Sequence, residues 1–187
     1  MEKMQGYDEA QALTGEYEVL EPGGYICVIK KEKEETSSTG KKMLVIAFDI
    51  AEGEHKDFYQ RRFDDLVKTN PETKWGGVYR QMLEGEKATG FLKGMMTSLE
   101  ASNTNFKWDW DENKLVGLKF GGLFGREEYE NQVSGERKMT TRLRFIRTVE
   151  SIKSGKFEIL NDKMLPARGE AFDSFATASS DNDDLPF

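Results

Sequence analysis

Three groups of side chains in this sequence have the types and spacing to do chemistry. The last seven residues, Asp181-Asn182-Asp183-Asp184-Leu185-Pro186-Phe187, combine anions, an apolar step and a terminal ring. A terminal Phe187 can seat its ring in a partner's apolar pocket while its α-carboxylate meets an Arg or Lys. Asp181, Asp183 and Asp184 would then follow a basic rim, with Leu185 as the apolar step and Pro186 restricting the approach. The second group lies between Arg137 and Val149. Period two puts Lys138, Thr140, Arg142 and Arg144 on one side and Met139, Thr141, Leu143, Phe145 and Val149 on the other. The third is Tyr59, Arg61 and Phe63, two rings flanking a cation on one face of an expected strand. Rings interleaved with cations suit an extended single-stranded nucleic acid. Bases stack on rings at ~1–3 kcal/mol each while cations follow the phosphates. Lys31, Lys41 and Lys42 flank a polar connection that could clamp the same chain, and Trp75 could add a further platform.

Other chemistries lack their residues. Cys27 and His55 are each single in 187 residues, which removes an intrachain disulfide and a thiolate metal cage, and nothing places the two together for a Cys–His or Ser–His–Asp machine. Cys27 sits between Ile26 and Val28 and is expected in the core; His55 is expected in a loop. Asp109-x-Asp111-x-Asn113 begins like an EF-hand loop, but Lys114 and Phe120 occupy the positions of its Gly and final Glu. Gly40-Lys41-Lys42 lacks the rest of a phosphate loop. Asp49, Glu52 and Asp64 read as scattered surface acids. No enzyme, metal or cofactor is therefore expected.

The net charge of −7 opposes a nucleic-acid partner, but its distribution is favourable. Residues 1–24 carry −5 and residues 169–187 another −5, which leaves +3 on residues 25–168. A basic body between acidic ends can hold a phosphate chain. No apolar run nears the ~20 residues of a membrane span, and the start carries no signal-peptide pattern, so a cytoplasmic location is expected.

The elements that must position these residues read as five strands and one helix. Strands are expected at Tyr25 to Lys31, Met43 to Ile50, Phe58 to Phe63, Leu115 to Tyr129 and Arg137 to Val149. The third and fourth flank a helix whose stripe is Ala88, Phe91, Leu92, Met95, Met96 and Leu99. Gly90 and Gly94 would let that helix approach the sheet closely. Trp108 and Trp110 are expected to pack the body. This chain order is that of a mainly β, OB-type five-stranded barrel. It gives an acidic extension over 1–21, the barrel over 22–165, and a flexible acidic tail over 166–187 with its tip.

Two resemblances sharpen the reading. The final acids followed by Leu185, Pro186 and Phe187 resemble the tip of bacterial and phage single-stranded DNA-binding proteins. Gly23-Gly24-Tyr25, Phe48 to Glu54, Trp108-Asp109-Trp110 and Phe120 to Tyr129 resemble proteins encoded in phages and prophages of Gram-positive bacteria. Similar proteins there are taken to bind single-stranded DNA. The resemblance implies sequence-independent binding and protection of single-stranded DNA in a bacterial host cell. It also implies recruitment of replication or recombination proteins through the tip, which would compete weakly with DNA for the groove, and a possible homo-oligomer. The alternatives are a strand-annealing recombination protein and a protein-interaction module that never touches DNA.

Overall fold

The computed structural model describes residues 18–131 and 134–166. Two long antiparallel strands open the fold, β1 (Gly23–Thr36) and β2 (Lys42–Ile50). The charged run after Lys31, expected as a connection, continues β1 instead. Lys33, Glu34, Glu35 and Thr36 stand opposite Val45, Leu44, Met43 and Lys42. A paired strand satisfies the backbone whatever its side chains, provided one face can stay wet. The ladder slips between Ile29 and Lys31, a bulge that changes which β1 residues face inward. β2 is apolar along almost its whole length and is buried from Met43 to Ile50, as its unbroken run predicts.

Phe58–Thr69 is a helix, α1, where the alternation predicted a strand. Tyr59 and Phe63 are four apart, a spacing that serves two pleats or one helical turn equally. Leu66 and Val67, both half-buried, extend the helical repeat. What anchors this helix is Asp49, a β2 residue with no exposed surface. The N–H groups of Tyr59 and Gln60 donate to Asp49 Oδ1 and Oδ2 at 2.9 and 3.0 Å, and Ile50 N–H donates to Oδ1 at 2.8 Å. The residue in the N-cap position, Asp57, is left-handed (φ 56°) and makes no side-chain cap bond. Asp49 therefore caps α1 from the neighbouring strand, its charge against the positive helix end.

The third strand is β3 (Val78–Met82), which pairs with β2 through Met43↔Met82 to Ala47↔Val78. Helix α2 (Ala88–Ser102) follows; Met95, Met96 and Leu99 reach the core as predicted, whereas Phe91 is exposed. A Cβ at Gly90 or Gly94 would meet nothing within 4 Å, so these glycines do not mark a close approach. A 3-10 turn at Glu112–Leu115 precedes β4 (Lys119–Glu130), and β5 (Arg137–Arg147) returns beside it. Val149 belongs to the short helix α3 (Val149–Lys153) rather than to β5.

All five strands form one antiparallel sheet in the order β3-β2-β1-β4-β5. Its outer strands, β3 and β5, approach each other without pairing, so the sheet is not closed. The core lies inside the curl, where Phe48 meets Tyr59, Phe120 and Phe124 edge-on at 5.3, 5.9 and 5.9 Å. Cys27 is buried there, as expected. Trp108 packs against the core, but Trp110, expected to do the same, is 77% exposed. It is also left-handed, at φ 68°.

Replacing Asp49 with Ala should lower stability by about 3 kcal/mol, since it strips three N–H donors of a charged acceptor. Replacing exposed Asp64 with Ala should change it by under about 0.5 kcal/mol. Urea unfolding followed by circular dichroism measures both. The glycines give an opposed pair. Gly94→Ala should stabilise α2 by up to about 1 kcal/mol. Gly77→Ala should destabilise strongly, because its Cβ would fall 2.3 Å from the Phe48 carbonyl oxygen.

Candidate functional site

The predicted binding residues do not assemble on one surface. In helix α1, Tyr59 and Phe63 share a face and Arg61 does not, because the repeat there is 3.6 rather than 2. Tyr59 is buried between Phe48 and the Gly76-Gly77 backbone, and burial raises its hydroxyl pKa well above the usual range. Phe63 packs on Trp75 at 5.8 Å, and Trp75 Nε1–H donates to the Phe48 carbonyl at 3.1 Å. Tyr59 is thus part of the core, while Phe63 and Trp75 are half-buried against each other. Arg61 lies on the outside, 3.2 Å from Glu18, which also meets His55 Nδ1 at 2.6 Å.

Strand β5 breaks its expected alternation. Leu123 faces Phe145 while the next residue, Phe124, faces Leu143, so Arg144 is the extra residue of a bulge. Beyond it the inward position belongs to Ile146 and not to Phe145. Met139, expected inward, is exposed. Arg144 is also occupied. It lies 3.7 Å from Glu127 and donates from Nη1 to the Asn161 carbonyl at 3.0 Å. The chain after α3 runs back over this part of the sheet, where Lys163 bridges Glu127 and bonds to both Arg126 and Glu128 backbones. Arg137 Nη2 reaches the Pro166 carbonyl at 2.8 Å and Lys138 stands 3.4 Å from Glu136. Arg137 and Arg144 thus help to hold the return segment in place.

Arg142 differs from its neighbours. Together with Arg62 it lies close enough to Tyr59 to oppose the rise in that hydroxyl's pKa. Arg147 does the same for Tyr79 of β3, whose hydroxyl is likewise raised by burial. Arg147 also sits over the Phe145 ring at 5.1 Å. Among the described residues, Arg62, Arg142 and Arg147 make no ion pair with a carboxylate. Arg147 thus stands near β3 at the open side of the sheet, while Arg62 and Arg142 lie near Tyr59. No single stretch of sequence announces these positions, because they arise only in the folded chain.

Further cations lie on the outer side of β1–β2–β3, where Lys33 is paired with Glu35. The register sets Lys33, Val45 and Arg80 in one row and Lys31, Ala47 and Val78 in the next. Lys41 is exposed at the β1–β2 turn, and Lys42 lies 3.2 Å from Glu34. Asp181, Asp183, Asp184, Leu185, Pro186 and Phe187 lie outside the described residues. Asp49, Glu52 and Asp64 are separately engaged: Asp49 with α1, Glu52 with Lys119 and Lys153, Asp64 with Gln60. Among the described residues no group of three acids, His or Cys is placed to hold a metal, and no helix is long and apolar enough to cross a membrane.

A family model described as a protein of unknown function, DUF669, matches residues 5–103. The chain belongs to the DUF669 family. No curated protein matches it. The DUF669 region takes in β1, β2, β3 and both long helices, and it stops before β4 and β5. It therefore contains the whole outer face of β1–β2–β3 but, of Arg62, Arg142 and Arg147, Arg62 alone.

Cys27 gives a pH test of the packing around this site. Burial and the nearby Asp49 carboxylate push its thiol well above the ordinary range. The folded chain holds that proton more tightly than the unfolded chain does. Its contribution is complete below the ordinary thiol pKa of about 8.5 and declines as pH rises through that value. Tyr25, Tyr59 and Tyr79 are shifted the same way and add to the decline above about pH 10. The urea midpoint should fall between pH 8 and 10, and Cys27→Ala should flatten the first part of that fall.

Proposed function

We propose that this protein binds single-stranded DNA without base preference, on an OB-type half-open barrel. The observation that carries this is the strand order β3-β2-β1-β4-β5, with helix α2 between β3 and β4 and the outer strands drawn together. A five-stranded, partly open Greek-key barrel of this kind binds oligonucleotides across its second and third strands and the loops beside them. The cations are where such a path would run. Lys41 and Lys42 stand at the β1–β2 turn, Lys31, Lys33 and Arg80 on the outer face, Arg62 and Arg142 near Tyr59, and Arg147 near β3 at the seam. A cationic track with little base-edge chemistry gives affinity without sequence choice. No covalent step is involved. The acidic tip at Asp181 to Phe187 would recruit replication or recombination proteins from the bound strand.

A second reading has one observation in its favour. Trp110 is the most exposed large ring among the described residues, and its neighbours Asp109, Asp111 and Glu112 are acids. A ring set among anions suits a basic protein better than a phosphate chain, as a protein-interaction module would need.

Fluorescence anisotropy with labelled oligo-dT and a matched duplex tests both. The full chain should prefer the single strand, and its affinity should fall with salt. Arg142→Ala with Arg147→Ala should weaken binding about tenfold at 0.1 M salt and reduce the log–log salt slope by about 1.4, at ~0.7 per phosphate contact. Arg144→Ala should lower the unfolding midpoint while leaving affinity within about twofold. Trp110→Ala should not change oligonucleotide binding. No preference for the single strand, or a folded double variant of undiminished affinity, would remove DNA from these arginines.

A further inference from the structure

Trp110 combines two features that work against the fold. Its backbone is left-handed, at φ 68°, a conformation that bulky side chains oppose and that glycine or asparagine adopts readily. Its ring is 77% exposed, so burial does not offset that strain. The turn itself is imposed from both sides. Before it, Trp108 packs against the core and its N–H donates to Glu100 Oε1 at 2.9 Å. After it, Asp111 accepts from the Asn113 N–H at 3.2 Å and caps the 3-10 turn. Lys114 closes the base of the turn, pairing with Asp109 and standing 3.8 Å from Asp111. Trp110 is thereby held out on a rigid base with the Trp108 ring beside it, 5.8 Å away and tilted by 53°. Strain kept at an exposed ring points to a use outside the fold.

The charge around the ring is negative. Asp109, Asp111 and Glu112 flank it in sequence, and the 3-10 turn packs on β1, which brings Glu32 to them. Burial, with the charges of Glu112 and Asp111, holds the Glu32 carboxyl above the usual carboxylate range. Lys114 answers Asp109 and Asp111, whereas among the described residues no cation pairs with Glu32 or Glu112.

We infer that Trp110 and the carboxylates beside it form a docking site for an arginine on a basic segment of a partner protein. The inference rests on the protein-interaction reading of this ring and is independent of the DNA reading. A guanidinium can lie flat on an indole face, drawn by the ring quadrupole, while its N–H fork meets carboxylates at the rim. The compact ammonium of lysine lacks that planar fork. A phosphate chain would meet anions here, and an uncharged segment would leave Glu32 and Glu112 unanswered. A ring already fixed in position loses little freedom on binding, which is how aromatic anchors dominate an interface.

The three tryptophans, Trp75, Trp108 and Trp110, give three indole N–H resonances, so binding to the full chain can be read ring by ring. Acetylated tetra-arginine amide should shift the Trp110 resonance saturably and leave that of Trp75 in place. Tetra-lysine should need about fivefold more peptide to reach its midpoint. Glu32→Gln with Glu112→Gln should raise the tetra-arginine midpoint about fivefold. Trp110→Asn gives a check that needs no peptide: it should raise the Tm, because asparagine tolerates the left-handed backbone. A lower Tm would return the ring to the fold and overturn the site. A Trp110 shift with oligo-dT would overturn the site and the protein-interaction reading together. A Trp110 resonance that neither probe moves would overturn the arginine site alone, leaving the ring to an uncharged partner.

Discussion

Much of this fold hangs on a single buried carboxylate. A polar group buried inside a protein is tolerated only when its hydrogen-bonding capacity is met. Asp49 meets that condition with three backbone N–H groups, two of them from the first turn of α1. The bond fixes a helix to a strand at one point. That in turn fixes Tyr59 against Phe48 and sets the 75–77 segment beside it. The Phe48 amide and carbonyl then both bond to that segment, to Gly77 and Trp75. β3 starts immediately afterwards, so the placement of the sheet's outer strand is traceable to one side chain on its neighbour. The helix needs no good cap of its own, and Asp57 provides none.

The two outer surfaces of the sheet are put to different use. Over β4 and β5 the chain covers itself: α3 and the segment through Lys163 bury Leu123 and employ Arg126, Arg137 and Arg144. Over β1, β2 and β3 an apolar centre is framed by cations. Arginine is the better residue for the first task, because a planar guanidinium bonds several carbonyls and carboxylates at once. Of the remaining guanidiniums, Arg62 and Arg142 lie near Tyr59, and Arg147 lies near Tyr79 of β3, where the sheet fails to close. An unclosed edge leaves both backbone groups and cations available to a ligand.

Composition and periodicity were enough to read β2, α2, the β4–β5 pair and the buried Cys27, since each depends on a long apolar run or stripe. The strand count and the helix between the third and fourth strands were also legible. The identity of the third strand was not. Phe58 to Phe63 fits either period over so short a window, and the true strand, Val78–Met82, has only five residues with an arginine and a glutamine among them. The candidate site suffered from the same limit. Alternation along β5 fails at Met139, which is exposed, and again at the bulge at Arg144, and bulges leave no mark in a pattern of apolar and polar letters. Asp49 looked like any acid in an acidic chain, because its partners are backbone amides that carry no sequence signal.

The central position of β1 has a consequence for how the chain is made. β1, β2 and β3 are consecutive and can pair as soon as they are synthesised. The other edge of β1 waits for β4, whose Phe120 stands opposite Cys27. Until then the stretch from Gly23 to Val28 is an open template on a nascent chain, rich in β-formers and prone to pair with a neighbour. The family match ends at Asn103, before β4 has begun. A fragment cut at that boundary would therefore be frozen at the most aggregation-prone stage of its own synthesis.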